Sequence, residues 1–288
     1  MKNNWIQRFC IIFISLFQKL KMFIIFNFQF SILNSKRLFI RAIMHTDMGC
    51  VRRNNEDNAG FRFMGGNKTD FFAILADGMG GYEQGEVASD IMVNTLIDDN
   101  GQTMRKDPYR WLADMFSKAN SRIYELFVQQ QSVMGTTCSM LLIWKKKIFC
   151  AHIGDSRIYL LAKGKLKQLT CDHTLVGEMK RKGEITAAEA AVHPQRSILT
   201  KAIGTSPKIV PDLFKVSRVR KGDRFLLCSD GLYDLVKDAE IGHLLSQHSL
   251  RTAARSLVET AKKHGGYDNI TVVIVEINEK TNTDNDEL

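Results

Sequence analysis

The feature that most constrains this chain is an acid that recurs at the ends of short apolar runs. Phe71–Ala76 ends in Asp77-Gly78-Met79-Gly80-Gly81, and Phe225–Ser229 ends in Asp230-Gly231. Ile148–Ile153 ends in Gly154-Asp155-Ser156-Arg157, while Asp268-Asn269 immediately precedes Ile270–Val275. Apolar runs of about four to eight residues, bounded by Gly, Asp or Asn, read as buried strands. In each case an acid sits where such a strand emerges. A neighbouring glycine permits a sharp turn and lets a backbone carbonyl face a ligand.

If these strand ends converge, the aspartates repel one another. Two carboxylates about 4 Å apart cost roughly 4 kcal/mol at an effective dielectric of about 20. Such a group either protonates or binds cations. An all-oxygen donor set without His or Cys suits Mg²⁺ or Mn²⁺ rather than zinc or copper. Two ions roughly 3.5–4 Å apart would lower the pKa of a shared water and provide a hydroxide nucleophile. A single Asp-Gly is ordinary turn spelling; four acids placed in this way argue for a cation site. Upstream, Asp47-Met-Gly49-Cys-Val-Arg52-Arg-Asn-Asn55-Glu56-Asp57 is dense in polar groups just after a strand. An arginine there can hold a phosphate in a bidentate contact.

The remaining pattern is mixed helix and strand. Strands are expected at 38–46, 59–64, 71–76, 138–144, 148–153, 157–162, 224–228 and 270–277. The turns Lys145-Lys146-Lys147 and Ala162-Lys163-Gly164 join adjacent strands, which favours antiparallel sheets with helices packed outside them. Helical spacing marks Glu86–Ile97, with Val87, Ile91 and Leu96 inward, and Tyr109–Gln130. It also marks Leu250–His264, and Thr186-Ala-Ala-Glu189 spells a capping box.

Charge excludes a class of partner. The chain carries a formal net charge of +9, but residues 1–41 hold seven basic residues and no acid. The other 247 residues carry 33 basic against 31 acidic groups, a net of +2, which is no footprint for nucleic acid. The six cysteines show no CxxC pair and read as reduced, mostly buried thiols of a cytoplasmic protein. Residues 1–36 form a basic, Phe-rich extension for which three readings stand: a spurious upstream start, a membrane-associated segment, or a cleaved signal. Its apolar stretches fall short of the roughly 18 uncharged residues a spanning helix needs.

The ordered motifs resemble the type 2C protein phosphatases of the metal-dependent PPM family, in particular their bacterial serine/threonine branch. They comprise D-x-G-x-x-R-x-x-N-E-D at 47–57, DGMGG at 77–81 followed by GEVAS, MGTT at 134–137 and GDSR at 154–157. LTCDHT at 169–174, ITAAEAAVHPQRSILTKAIG at 185–204, CSDGL at 228–232 and DNITVV at 268–273 follow in order. The resemblance implies an α+β fold: an αββα four-layer sandwich of two antiparallel sheets flanked by helices, spanning 37–277, with a polar tail at 278–288. It implies two Mn²⁺ or Mg²⁺ ions, with Asp77 bridging, the Gly78 carbonyl on the first, and Asp230 and Asp268 on the second. Asp155 with Asp230 matches a third, weaker site. Arg52 takes the position that holds the substrate phosphate, Glu56 and Asp57 orient metal-bound waters, and residues 174–199 form a flap. Asp77, Asp230, Asp268 and Arg52 are thus the catalytic set. One departure is Met79, where animal members carry a His proposed as general acid; the leaving-group proton then comes most simply from a metal-bound water. His152 is expected in the core, and His173 and His193 as structural neighbours of the flap.

The implied reaction is hydrolysis of phosphoserine and phosphothreonine in proteins by a metal-bridging hydroxide, without a phosphoenzyme. The implied partners are phosphoproteins and a cognate serine/threonine kinase opposed by a monomeric enzyme. Two other classes fit less well. A catalytically dead phosphoprotein binder would not retain every acid, and a nucleotide-binding protein would need a P-loop Lys-Ser/Thr or GxGxxG spelling, both absent.

Overall fold

The computed structural model describes residues 28–29, 38–64, 70–80, 84–99, 107–131, 134–216, 220–247 and 249–279. Apart from Phe28–Gln29, the expectations for residues 1–36 lie outside the described residues; of the tail expected at 278–288, Asn278 and Glu279 instead end the last strand and the rest lies outside the described residues.

One sheet runs in the order β1 (Phe28–Gln29), β2 (Leu38–Asp47), β12 (Ile270–Glu279), β11 (Arg224–Cys228), β8 (Arg157–Ala162) and β9 (Lys165–Gln168). The other runs β10 (Asp212–Val216), β7 (Lys147–Ile153), β6 (Cys138–Trp144), β4 (Asp70–Gly80) and β3 (Asp57–Met64), with β5 (Met134–Thr136) paired to the end of β4. Every strand pairing is antiparallel. The two predicted turns join β6 to β7 and β8 to β9, with Lys145, Lys146 and Lys163 at positive φ.

Strand periodicity explains why the sheets stack. Along β4, Phe71, Ala73 and Leu75 enter the layer between the sheets, where Leu141, Cys150, Ile158, Phe225, Leu227, Val273 and Val275 meet them. The alternate residues Phe72, Ile74 and Ala76 face outward beneath α1 (Gln84–Ile97) and α2 (Pro108–Gln130), against Met92, Leu96, Trp111 and Phe116. Both faces of β4 are therefore buried, which is why it reads as an unbroken apolar run rather than an alternation. On the far side, α5 (Asp230–Tyr233), α6 (Asp238–Leu245) and α7 (Leu250–Lys263) cover β2, β8, β11 and β12 through Leu232, Ile241, Leu257, Val258 and Ala261. The result is the expected αββα sandwich. Among the described residues, no helix is long and apolar enough to cross a membrane.

Some local readings need correction. The buried face of α1 is Gly85, Ala88, Ser89, Met92, Val93, Thr95 and Leu96; Ile91 is only partly buried, and Val87 is exposed. Small residues at 85 and 88 bring the helix close to β4, and that closeness decides the inward face. Strands β5, β9 and β10 carry no strong apolar signature: β9 is an edge with Lys165 and Lys167 in solvent, and β10 edges the other sheet. Within the flap, α3 (Leu175–Lys182) was not anticipated, nor were α5 and α6; α4 (Ala187–Val192) follows the predicted capping box, with Thr186 and Glu189 exchanging both bonds.

Candidate active site

The acids named from the sequence come together at one end of the sandwich, where strands of both sheets terminate. Asp77 is the centre. It lies inside β4 rather than beyond it, at the residue where the strand loses its partners β3 and β6 and turns to β5. Directly opposite, as its register partner on β3, is Asp57. Asp230 opens α5 immediately after β11, Asp155 follows β7, and Asp268 precedes β12.

Burial decides the electrostatics. Asp77 is pushed well above the usual carboxylate range by burial first, then by repulsion from Asp57, Asp230, Asp155 and Asp268. Asp230 is raised likewise, by burial and then by Asp155, Asp268 and Asp234. Burial raises Asp155 to about 7 and Asp57 to about 6, the latter held down in part by hydrogen bonds from Thr271 and Ser229. Carboxyls that crowd each other away from bulk water must share protons or attract cations. Glu56 is also raised, by burial, though it accepts a hydrogen bond from the Gly85 backbone.

Whether these groups suit a metal is answered by the donor chemistry. The converging donors are oxygens, and two of the buried histidines are engaged elsewhere: His152 bonds Ser139 and the Cys171 carbonyl, and His173 bonds Gly154 and Asp212. Among the described residues, no three His, Cys, Asp or Glu side chains enclose a single ion by themselves. An oxygen-only donor set fits Mg²⁺ or Mn²⁺, which take one or two carboxylates each and complete their shell with waters and carbonyls. Gly78 contributes bare backbone, because a Cβ there would lie 2.1 Å from the Gly85 carbonyl oxygen and 2.6 Å from that of Glu56.

The polar frame around the acids was not singled out from the sequence. The Asp77 N–H donates to Thr137 Oγ1 at 3.0 Å, and its carbonyl accepts from the Thr137 N–H at 2.8 Å and the Thr136 hydroxyl at 2.9 Å. This is the work of the MGTT motif. Ser229 donates to Asp57 Oδ2 at 2.8 Å while its oxygen accepts from the Thr271 N–H at 3.0 Å. Asn269 stitches the Arg52 loop down: it donates to the carbonyls of Met48 and Asn54 and accepts from the Glu56 N–H. The visible signal was a small hydroxyl or amide residue beside four of the acids (Asn58, Ser156, Ser229 and Asn269), while Asp77 between Ala76 and Gly78 gave none.

Arg52 donates through Nη2 to Asp268 Oδ2 at 2.6 Å, with its side chain 48% exposed. That pair engages one of its five N–H donors on a half-exposed guanidinium. Arg157 instead stays internal: it grips Asp172 through Nε and Nη2, bonds the Tyr159 hydroxyl, and lies 3.5 Å over the Tyr233 ring. Tyr233 in turn donates to the Asp155 carbonyl at 3.0 Å. The flap is closed at its root by the Thr174–Leu199 bridge, and its Arg196 reaches toward Asp234 at 3.8 Å, an acid beside the cluster that sequence reasoning passed over. Met79 follows Gly78 on β4, and His193 sits on the flap's exposed face. Of the five cysteines among the described residues, Cys138, Cys150 and Cys228 are buried, and Cys50 and Cys171 are exposed.

With this geometry in place, comparison with known proteins is decisive. The protein phosphatase 2C family profile matches residues 42–270. The chain belongs to the protein phosphatase 2C family. It is 38% identical over 247 residues to the serine/threonine phosphatase stp of Listeria welshimeri, covering 83% of this chain and 96% of that one. The solved structure of the Streptococcus agalactiae serine/threonine phosphatase superposes with a TM-score of 0.75 at 35% identity, over 83% of this chain and 99% of that one. The catalytic domain of serine/threonine protein phosphatase PstP, solved with two manganese ions, superposes at 0.74 with 35% identity, over 84% of this chain and all of that one. Membership places the chain among the protein serine/threonine phosphatases, with the two-sheet sandwich of its relatives.

Proposed function

We propose that this phosphatase hydrolyses phosphoserine and phosphothreonine in proteins with the help of divalent cations, in opposition to a serine/threonine kinase. The observation that carries the reading is the convergence of Asp57, Asp77, Asp155, Asp230 and Asp268 in one cluster, with Asp57 and Asp155 buried and the other three half-buried. Asp77, the Gly78 carbonyl, Asp230 and Asp268 would hold two Mn²⁺ or Mg²⁺ ions, and Asp155 would serve a weaker third. Bound there, the ions supply Lewis-acid charge and a water acidified enough to attack phosphorus at neutral pH.

The chain's own groups do the remainder. The other donors of Arg52 hold phosphoryl oxygens and orient phosphorus toward the cluster. Thr136 and Thr137 keep the Asp77 backbone in place. Glu56 and Asp57 accept hydrogen bonds from water in the site and fix its direction. Cys138, Cys150 and Cys228 offer no covalent route, since they are buried with thiols raised above their usual range. We take 37–277 as the phosphatase domain of a cytoplasmic monomer.

The test is Mn²⁺-stimulated hydrolysis of an aryl phosphate and of phosphothreonine peptides. Asp230→Asn should abolish turnover with an unchanged circular dichroism spectrum. Turnover that persists in EDTA would refute the cation-dependent reading.

A further inference from the structure

Two dipeptides frame the mouth of the acid cluster. Val51–Arg52 and Tyr267–Asp268 each set an apolar side chain next to a polar residue of the centre, and the two polar members touch through the 2.6 Å Arg52–Asp268 pair. Val51 is 61% exposed and Tyr267 64% exposed. Isolated apolar residues on a surface are unremarkable in general. These two differ because they flank the only side chain proposed to grip the phosphate.

Their loops are also built to hold them there. The Cys50 N–H donates to the Gly266 carbonyl at 2.7 Å, which zips the two loops one residue from each apolar side chain. Gly49, at φ +79°, lies so close to the second loop that a Cβ would stand 2.2 Å from the Asp268 carbonyl oxygen. The Gly49 N–H donates to Asp47 Oδ1 at 2.9 Å, closing a turn, and Asp47 is itself held by Lys262 at 2.9 Å. The Tyr267 ring folds back over Gly265, where a Cβ would meet ring carbon Cζ at 2.4 Å. A rigid exposed aromatic presents contact area at little entropic cost on binding.

We propose that Val51 and Tyr267 form a specificity shelf for the substrate polypeptide, selecting phosphoproteins with an aliphatic or aromatic side chain within two residues of the phosphorylated one. The inference rests on the phosphatase reading and names its substrate class more narrowly. Once Arg52 fixes the phosphate, the flanking residues of the peptide pass within one or two residue lengths of that point, about 3.3–3.6 Å each. An apolar side chain there covers Val51 and Tyr267, while an acidic one in the same place loses hydration against their apolar surface. Phosphate charge and apolar flank are then read by adjacent residues of the same loops.

The experiment compares kcat/KM for phosphothreonine peptides that differ only in the residues on either side, Leu or Phe against Ser or Asp, using wild type and the Val51→Ser/Tyr267→Ser double variant. Both positions are exposed, so the variant should melt with the wild type, and aryl phosphate hydrolysis reports the intact reaction centre. Wild type should prefer the apolar peptides by roughly tenfold, as for other small apolar recognition elements. The double variant should lose most of that preference through KM, with aryl phosphate turnover unchanged. Equal rates on all peptides by wild type, or a preference that survives in the double variant, overturn the shelf while leaving the phosphatase intact. Absence of aryl phosphate turnover in the wild type overturns both.

Discussion

Removing divalent cations from this protein should invert its response to pH. Asp155 is buried, and its pKa is raised from 3.8 to about 7 by that burial first and then by Asp172. A carboxyl whose folded pKa lies above its unfolded one makes the folded state the better proton binder. Stability is then full below pH 3.8 and falls as pH rises toward 7. At about 1.4 kcal/mol per pH unit, Asp155 alone would take away ~4 kcal/mol across that window. Asp57, raised to about 6, acts in the same direction over a narrower range. For a domain of this size, a kilocalorie moves Tm by about 2–4 °C, so the loss amounts to roughly 10 °C. The assay is a series of thermal melts from pH 4 to pH 7.5 in EDTA and in Mn²⁺. Melting temperature should fall with pH in EDTA, recover in Mn²⁺ near neutrality, and lose much of its slope in Asp155→Asn. A melting temperature in EDTA that rises through this window, with the same slope in wild type and variant, would refute the reasoning.

Two further variants probe the frame and the clamp. Thr137→Val keeps shape but removes the hydroxyl that accepts the Asp77 N–H and bonds Ser156. Leaving buried donors unpaired should cost about 1–3 kcal/mol, read by denaturant melts, and weaken Mn²⁺ binding by calorimetry. Unchanged metal affinity would remove its positioning role. Arg52→Ala should raise KM for phosphopeptides more than it lowers kcat, and equal KM in both proteins would deny it the phosphate.

Much of this was legible before any coordinates. The apolar runs set eight strands and, through short turns, their antiparallel pairing. The long helices α2 and α7 declared themselves through apolar residues at helical spacing, and Thr186 with Glu189 placed α4. Illegible elements share a cause: β9, β10 and α6 are short or at edges, held by tertiary contact more than by their own pattern. The inward face of α1 escaped for a related reason, since Gly85 and Ala88 matter through how near they let the helix come.

For the site, the sequence supplied the identity of each acid and its attachment to a strand end, because a residue's type and its local turn are encoded within a few positions. It could not say that Asp57 would stand opposite Asp77, that burial would drive their protons on, or that Asn269 would bind down a loop more than two hundred residues earlier. Those outcomes depend on how two sheets stack and in which register their strands pair. Register and stacking are sums over many distant contacts, so only the folded chain decides them.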